Sequence, residues 1–193
     1  FSSADGIHWK KLQQTPVITS RSFAFDSQNV SFWSESEQCY VCYFRTWNTP
    51  HGNLRTISRT VSQDFLKWSD PVATNPNRPG EHLYTSGTHP YFRANHIYIA
   101  LPTRFLPDRG ASTDILFMTS RGGARYDRTF LQAFIRPGLD PGKWGNRSNY
   151  AALNVVPTSA EEMSIYVRER RYVLRTDGFA SLHASAQPGE LTT

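Results

Sequence analysis

Three copies of one seven-residue phrase recur along the chain and limit what it can fold into. They are Ser3-Ala4-Asp5-Gly6-Ile7-His8-Trp9, Ser62-Gln63-Asp64-Phe65-Leu66-Lys67-Trp68 and Ser120-Arg121-Gly122-Gly123-Ala124-Arg125-Tyr126. Each reads Ser-x-(Asp/Gly)-x-x-x-aromatic, and the serines stand 62 − 3 = 59 and 120 − 62 = 58 positions apart. A degenerate fourth echo, Thr176-Asp177-Gly178-Phe179, follows after 176 − 120 = 56. Ser followed by Asp and Gly is turn chemistry: the side-chain oxygens accept nearby backbone N–H groups, and glycine takes positive φ. The closing aromatic returns the chain to the core. A period near 58 residues needs a unit of several strands, and such units stack or ring around an axis.

Between the phrases the β-prone segments repeat in order. Phe23–Trp33 and Tyr40–Arg45 flank a polar turn at 34–38. Residues 46–53 read as a loop, 54–61 as a third strand, and Ser69-Asp70-Pro71-Val72 opens a fourth. After a linker at 74–81 the pattern restarts. Residues 91–94 lead to a turn at Asn95 and His96, a run over 97–105, a loop at 107–112, and a third strand at 115–120. Residues 128–135 fit a strand or a short helical turn, and 136–149 form another linker. Residues 151–157, 163–168 and 171–175 supply three more strands, and Pro16-Val17-Ile18 fits an outer strand of a preceding unit. No amphipathic helix is evident. The expected fold is all-β: a β-propeller of four-stranded antiparallel blades, with a β-sandwich as the alternative. Residues 1–180 would form about three blades, and 181–193 would begin a C-terminal β-sandwich.

Composition narrows function. Aromatic residues make up 13% of the chain and charged residues 19%, which argues against a disordered or coiled-coil chain. Twenty-one basic and sixteen acidic residues give a net charge of +5. The basic residues are scattered, with 168–171 their one dense cluster, which argues against nucleic acid as partner. No apolar run approaches the length of a membrane span. Cys39 and Cys42 stand three apart, so in an extended strand they face opposite sides and share neither a disulfide nor a metal. No metal or cofactor is expected. The chain opens on Phe1, so an incomplete or processed chain is expected, and a secreted or periplasmic setting is the candidate compartment.

The turn phrase resembles the Asp-box hairpin of sialidases and related propellers. The stretch Phe25-Asp26-Ser27-Gln28-Asn29-Val30-Ser31-Phe32-Trp33 resembles the Phe-Arg-Asp-Pro-x-Val-Phe-Trp phrase that starts a blade in glycoside hydrolase families 32, 43 and 68. Residues 82–85, Pro102-Thr103-Arg104-Phe105 and Arg136-Pro137-Gly138 are similar to proteins of the family-32-like kind. The resemblance implies a five-bladed ring with three axial acids, of which one carries over, onto Asp26. The family's first-blade Asp would precede Phe1. The stretch matching its third-blade Glu is Ser86-Gly87-Thr88-His89-Pro90, which holds no acid.

Glycoside hydrolysis needs two carboxyl groups, one of them able to stay protonated. Asp26, entering an inner strand, is the expected carboxylate that orients sugar hydroxyls. Glu162, just before a strand, is the expected acid, with Glu81 behind it. Arg45 and Arg104 end the second strands of successive units and are candidates for gripping a sugar carboxylate or sulfate. His89 is a candidate hydrogen-bonding or acid–base group. Trp47 and Tyr84 are candidate stacking rings. Asp5, Asp64 and Asp127 read as structural turn residues. The expected function is hydrolysis of O-glycosidic bonds in a plant or algal polysaccharide. The alternatives are a carbohydrate-binding propeller without its acid pair and, third, a protein-binding scaffold. Two acids in one cleft favour the enzyme, and a single acid among arginines and aromatics favours binding.

Overall fold

The computed structural model describes residues 1–20, 24–140, 144, 149–169, 173–175 and 178–180. These contain β-strands and turns and no helix. The first unit is one antiparallel sheet in the order β1 (Val30–Ser34), β2 (Cys39–Thr49), β3 (Gly52–Ser62), β4 (Val72–Ala73). Cys39 and Cys42 of β2 are both free and buried.

The second unit is broken. Strands β5 (His82–Leu83), β8 (Thr103–Leu106) and β9 (Ser112–Ile115) form one sheet. Strands β6 (His89–Tyr91), β7 (Ala94–Ala100) and β10 (Met118–Ser120) form another. The register runs through the break: Ala100 faces Met118, Thr103 faces Ile115, and between them the Leu116 N–H donates to Pro102 O at 2.9 Å. Across the neighbouring seam the Leu101 N–H donates to Ser86 O and the Tyr84 N–H to Thr103 O. The two sheets are therefore one meander interrupted where Pro102 lacks an N–H. Residues 127–135 flank it by two bridges, Thr119 with Asp127 and Ile115 with Ile135. The third unit begins with the hairpin β11 (Asn149–Pro157) and β12 (Met163–Glu169), and β13 (Val173–Arg175) pairs with β14 (Gly178–Ala180).

The units pack in series through their faces. Val30, Val41, Tyr43 and Ile57 of the first unit enclose one core with Tyr98, Ala100 and Met118 of the second. Ile99, Leu101 and Ile115 enclose the next core with Val155, against which Ile165 and Val167 pack. Residues 98–101 alternate between these two cores, as a strand's period of two requires, so the segment is apolar throughout.

All three phrases are hairpin tips built alike. Asp5 Oδ1 accepts the Ile7 and His8 N–H groups, and Asp64 Oδ1 accepts those of Leu66 and Lys67. The indoles of Trp9 and Trp68 donate to Gly6 O and Phe65 O, both at 3.0 Å. Gly6, Phe65 and Gly123, the fourth position of each phrase, have φ of 73°, 64° and 63°. The residue after each aromatic donates its N–H to the carbonyl before each serine: Lys10 to Ser2, Ser69 to Val61 and Asp127 to Thr119. The third copy lacks the Asp. Its Ser120 hydroxyl bonds the Gly122 and Arg125 carbonyls instead.

Several boundaries differ from the sequence expectation. The 46–53 loop is only Pro50 and His51, because pairing continues through a bulge in which Leu54 and Arg55 together face Trp47. The second unit's first hairpin turns at Phe92 and Arg93, not at Asn95 and His96, and its first strand already starts at His82. The runs over 97–105 and 115–120 each split at the Pro102 break. Pro16–Ile18 is not a strand; among the described residues no strand pairs with it. The sheets do not close into a ring, so a propeller is not what the described residues form by themselves. Thr176, Asp177 and the 181–193 segment lie outside the described residues.

Candidate functional site

Strand direction sorts the side chains between two ends. In each unit the first strand starts at what we call the near end. The first hairpin turn and the Ser62 and Ser120 phrases lie at the far end. Contacts between units agree. At the far end the Tyr98 hydroxyl donates to Glu37 and bonds Ser34 Oγ. At the near end Ser27 Oγ donates to Tyr84 O at 2.6 Å, and the Arg55 backbone N–H donates to His82 Nδ1 at 3.1 Å.

The near end gathers Asp26, Arg45, Trp47 and Tyr84. Phe25, at φ 68°, turns the chain before Asp26; its N–H donates to Arg45 O and its ring stacks on Phe44 at 4.7 Å. This left-handed residue is uncommon for a side chain of its size, and such strain persists where neighbouring contacts over-determine it. Asp26 Oδ1 is in direct contact with Arg45 Nη2; the aspartate side chain is 65% exposed and the arginine 3%. The carboxylate thus sits at the surface with its counter-charge beneath it. Arg45 Nε is buried without a hydrogen-bond partner.

Arg55 joins this group because the β2–β3 bulge sets it beside Trp47. Its guanidinium lies over Trp47 at 4.3 Å, over Tyr84 at 4.5 Å and over Phe105 at 5.5 Å. Arg45 lies 5.3 Å over Trp47 and 6.0 Å over Tyr84. His82 meets the edge of Trp47 at 6.1 Å, and its Nδ1 also lies 3.3 Å from Arg55 Nη1. Burial and the nearby Arg55 charge push the His82 pKa down, which favours neutral imidazole. The cluster therefore sets two guanidinium groups, Arg45 and Arg55, around the two rings, with the Asp26 carboxylate on Arg45. Asn77 braces it from below, accepting from Thr56 Oγ1 and donating to Arg55 O and Glu81 O.

The remaining candidates stand elsewhere or are engaged. Arg104 is at the near end but donates through Nε and Nη2 to both carboxylate oxygens of Asp114, its cross-strand partner, at 2.9 and 2.7 Å. Glu81 is held by Arg128 Nη1 and Nη2, at 2.5 and 2.8 Å. Burial opposes ionisation of Glu81, but the Arg128 hydrogen bonds, the Arg78 N–H and the Arg104 charge leave its pKa below the ordinary value. His89 is buried between the units. Its Nε2 accepts the Val155 N–H at 3.0 Å, so its Nδ1 carries the proton and donates to Gly87 O at 2.8 Å.

Glu162 does not join Asp26. It ends the tight β11–β12 turn, its N–H bonded to Ser159 Oγ, and that turn meets the far-end Phe92–Arg93 turn through Arg93 and Ala160 O. Nine-residue β11 separates this turn from the near end by roughly 25 Å at strand rise. Among the described residues no group of three or more His, Cys, Asp or Glu side chains is placed to hold a metal ion.

Arg55 and His82 are cluster members that the sequence reading missed. Arg55 had one signal, its place across a hairpin from Trp47. His82 lay in the 82–85 stretch, which was read only for its family resemblance and given no role.

No family model matches the chain. No curated protein matches it either. Among solved structures the chain is similar to an N-acetylgalactosamine deacetylase from F. plautii, in complex with blood group B trisaccharide. The TM-score is 0.60 at 15% identity, over 81% of this chain and 43% of that one. The chain thus spans less than half the length of that protein, and at this identity the likeness is one of fold. These findings overturn the resemblance to glycoside hydrolase families 32, 43 and 68: no such family matches, and the structural likeness runs to a deacetylase.

Proposed function

We propose that the chain recognises carbohydrate, and that sugar binds at the near end against Asp26, Trp47 and Tyr84. The observation that carries this reading is the exposed Asp26 carboxylate backed by buried Arg45, beside two half-buried rings from neighbouring units. An exposed carboxylate accepts sugar hydroxyls, and aromatic faces pack on the C–H faces of a sugar ring. The deacetylase of similar fold holds a trisaccharide, which supports the class of ligand.

Binding is favoured over glycosidic hydrolysis by the state of the other acids. Hydrolysis asks for a second carboxyl group about 5–10 Å from the first, one of the two protonated. Glu81 is held ionised by arginines, Asp114 is taken by Arg104, and Glu162 is at the far end. The test is a glycan array and a hydrolysis assay on wild type, Asp26→Asn and Trp47→Ala. The expected result is saturable binding that both substitutions weaken, without bond cleavage. Cleavage lost in Asp26→Asn would restore the hydrolase reading; no binding to any glycan would end the carbohydrate reading.

A further inference from the structure

The near end continues past the Asp26 cluster into two joined clefts that the proposed sugar site leaves unused. The Phe105 ring packs on Tyr84 at 5.5 Å and also lines the first cleft, ≈ 300 Å³, with Arg104 and Arg109. Arg104 and Arg109 line the second cleft too, ≈ 510 Å³, where Arg136 and Trp144 complete the wall. Both volumes are of the size that takes small ligands.

Charge and exposure distinguish the second cleft. Among the described residues its one acid, Asp114, has both oxygens bound by Arg104. Arg109 and Arg136 are exposed, and among the described residues no acidic side chain pairs with either. Among the described residues these two positive charges face the cleft without an acidic partner. Trp144 is half exposed, its indole N–H tied to Gly138 O at 2.8 Å, which fixes the ring in the wall. Arginine forks beside an aromatic ring suit a planar or tetrahedral oxyanion on a sugar.

We propose that this cleft is an anion subsite, taking the carboxylate or sulfate substituent of an acidic oligosaccharide whose neutral rings lie against Asp26, Trp47 and Tyr84. This rests on the carbohydrate reading, so its test keeps the two separate. Neutral, uronate-bearing and sulfated oligosaccharides of one backbone are titrated into wild type, Trp47→Ala and the double variant Arg109→Gln/Arg136→Gln. Both arginines are exposed, so the double variant keeps the core intact. Wild type is expected to prefer an acidic ligand by about tenfold, the scale of one charge-assisted contact. The double variant loses that preference and keeps the neutral ligand; Trp47→Ala weakens both. Whether uronate or sulfate binds more tightly identifies the substituent. Inorganic sulfate supplies a second arm: at constant ionic strength it raises the melting temperature of wild type more than that of the double variant. Equal affinity for acidic and neutral ligands, or a preference retained by the double variant, overturns the subsite while leaving the sugar site. Differential protection by sulfate with no oligosaccharide bound overturns the sugar reading, and with it the subsite's place in an oligosaccharide site.

Discussion

The Glu37 carboxylate, in the first hairpin turn of the first unit, accepts the Gly123 backbone N–H of the second unit's phrase at 3.2 Å. Arg59 donates to the same carboxylate at 2.5 Å and the Tyr98 hydroxyl at 2.8 Å, so one side chain ties three elements together. The adjoining Gly122 has φ 90°, and a Cβ there would stand 2.9 Å from Glu37 Cδ. Gly122→Ala is therefore expected to lower stability by about 1–3 kcal/mol, from positive φ and from displacing a carboxylate that cannot move without breaking its bonds. Urea unfolding measures it. An unchanged midpoint would mean the far-end lock does not hold the units together.

The phrases make stability acid-sensitive. Asp64 is held below the ordinary carboxylate range by the Lys67 and Leu66 N–H groups. Asp5 is held well below it, first by the His8 side chain and then by the His8 and Ile7 N–H groups. Their folded pKa values lie below the unfolded ones, so they stabilise above the unfolded value of about 4 and lose that contribution as pH falls through the folded values. Melting temperature is expected to hold steady near neutrality with respect to these groups and to fall below about pH 4. Asp64→Asn should lower the plateau and flatten the acid slope. An unchanged slope would separate the phrase from the acid transition.

The repeat, the four-stranded first unit and the turn chemistry of the phrases were legible because each is local: serine, aspartate and glycine declare a tip wherever they fall. What misled was also local. Pro102 looked compatible with one long run but removes an N–H and splits the strand, and the Trp47 loop was a bulged hairpin end whose pairing composition does not show. The site was half legible. Asp26 and Arg45 were chosen for chemistry and meet in space, whereas Glu162 shares that chemistry but lies at the other end. Strand direction decides this, and it becomes visible only when every hairpin turn is placed.

His89 is a structural acceptor, and its removal should show as lost stability. Burial pushes its pKa down, with the Gly87 hydrogen bond opposing. The unfolded imidazole takes a proton below about pH 6.5 and the buried one resists, so stability declines as pH falls from there toward the depressed native value. His89→Ala leaves the Val155 N–H and Gly87 O without their partner, at a cost of about 2–3 kcal/mol. The part of the slope below about pH 6.5 carried by His89 should vanish in the same variant, while that of His82 remains. Chemical denaturation across this range checks both, and an unaltered curve would contradict the buried, neutral assignment.

Arg104 is expected to serve the scaffold more than the ligand. Arg104→Lys keeps the charge and loses the two-point grip on Asp114, with an expected cost of about 1–3 kcal/mol. Paired melting and glycan-binding measurements separate the roles. A lowered melting temperature with little change in affinity fits the bidentate pair; the reverse would make Arg104 a ligand contact.

The most direct measurement is an NMR titration with a glycan that binds, reading the indole N–H signals of the five tryptophans, which stand at both ends of the units. Trp47 Nε1–H is expected to shift and saturate with the ligand while Trp9 and Trp68, in the phrase tips, stay in place. Saturable shifts at Trp9 or Trp68 with Trp47 unmoved would contradict it, because sugar would then be bound where the turns are and not beside Asp26.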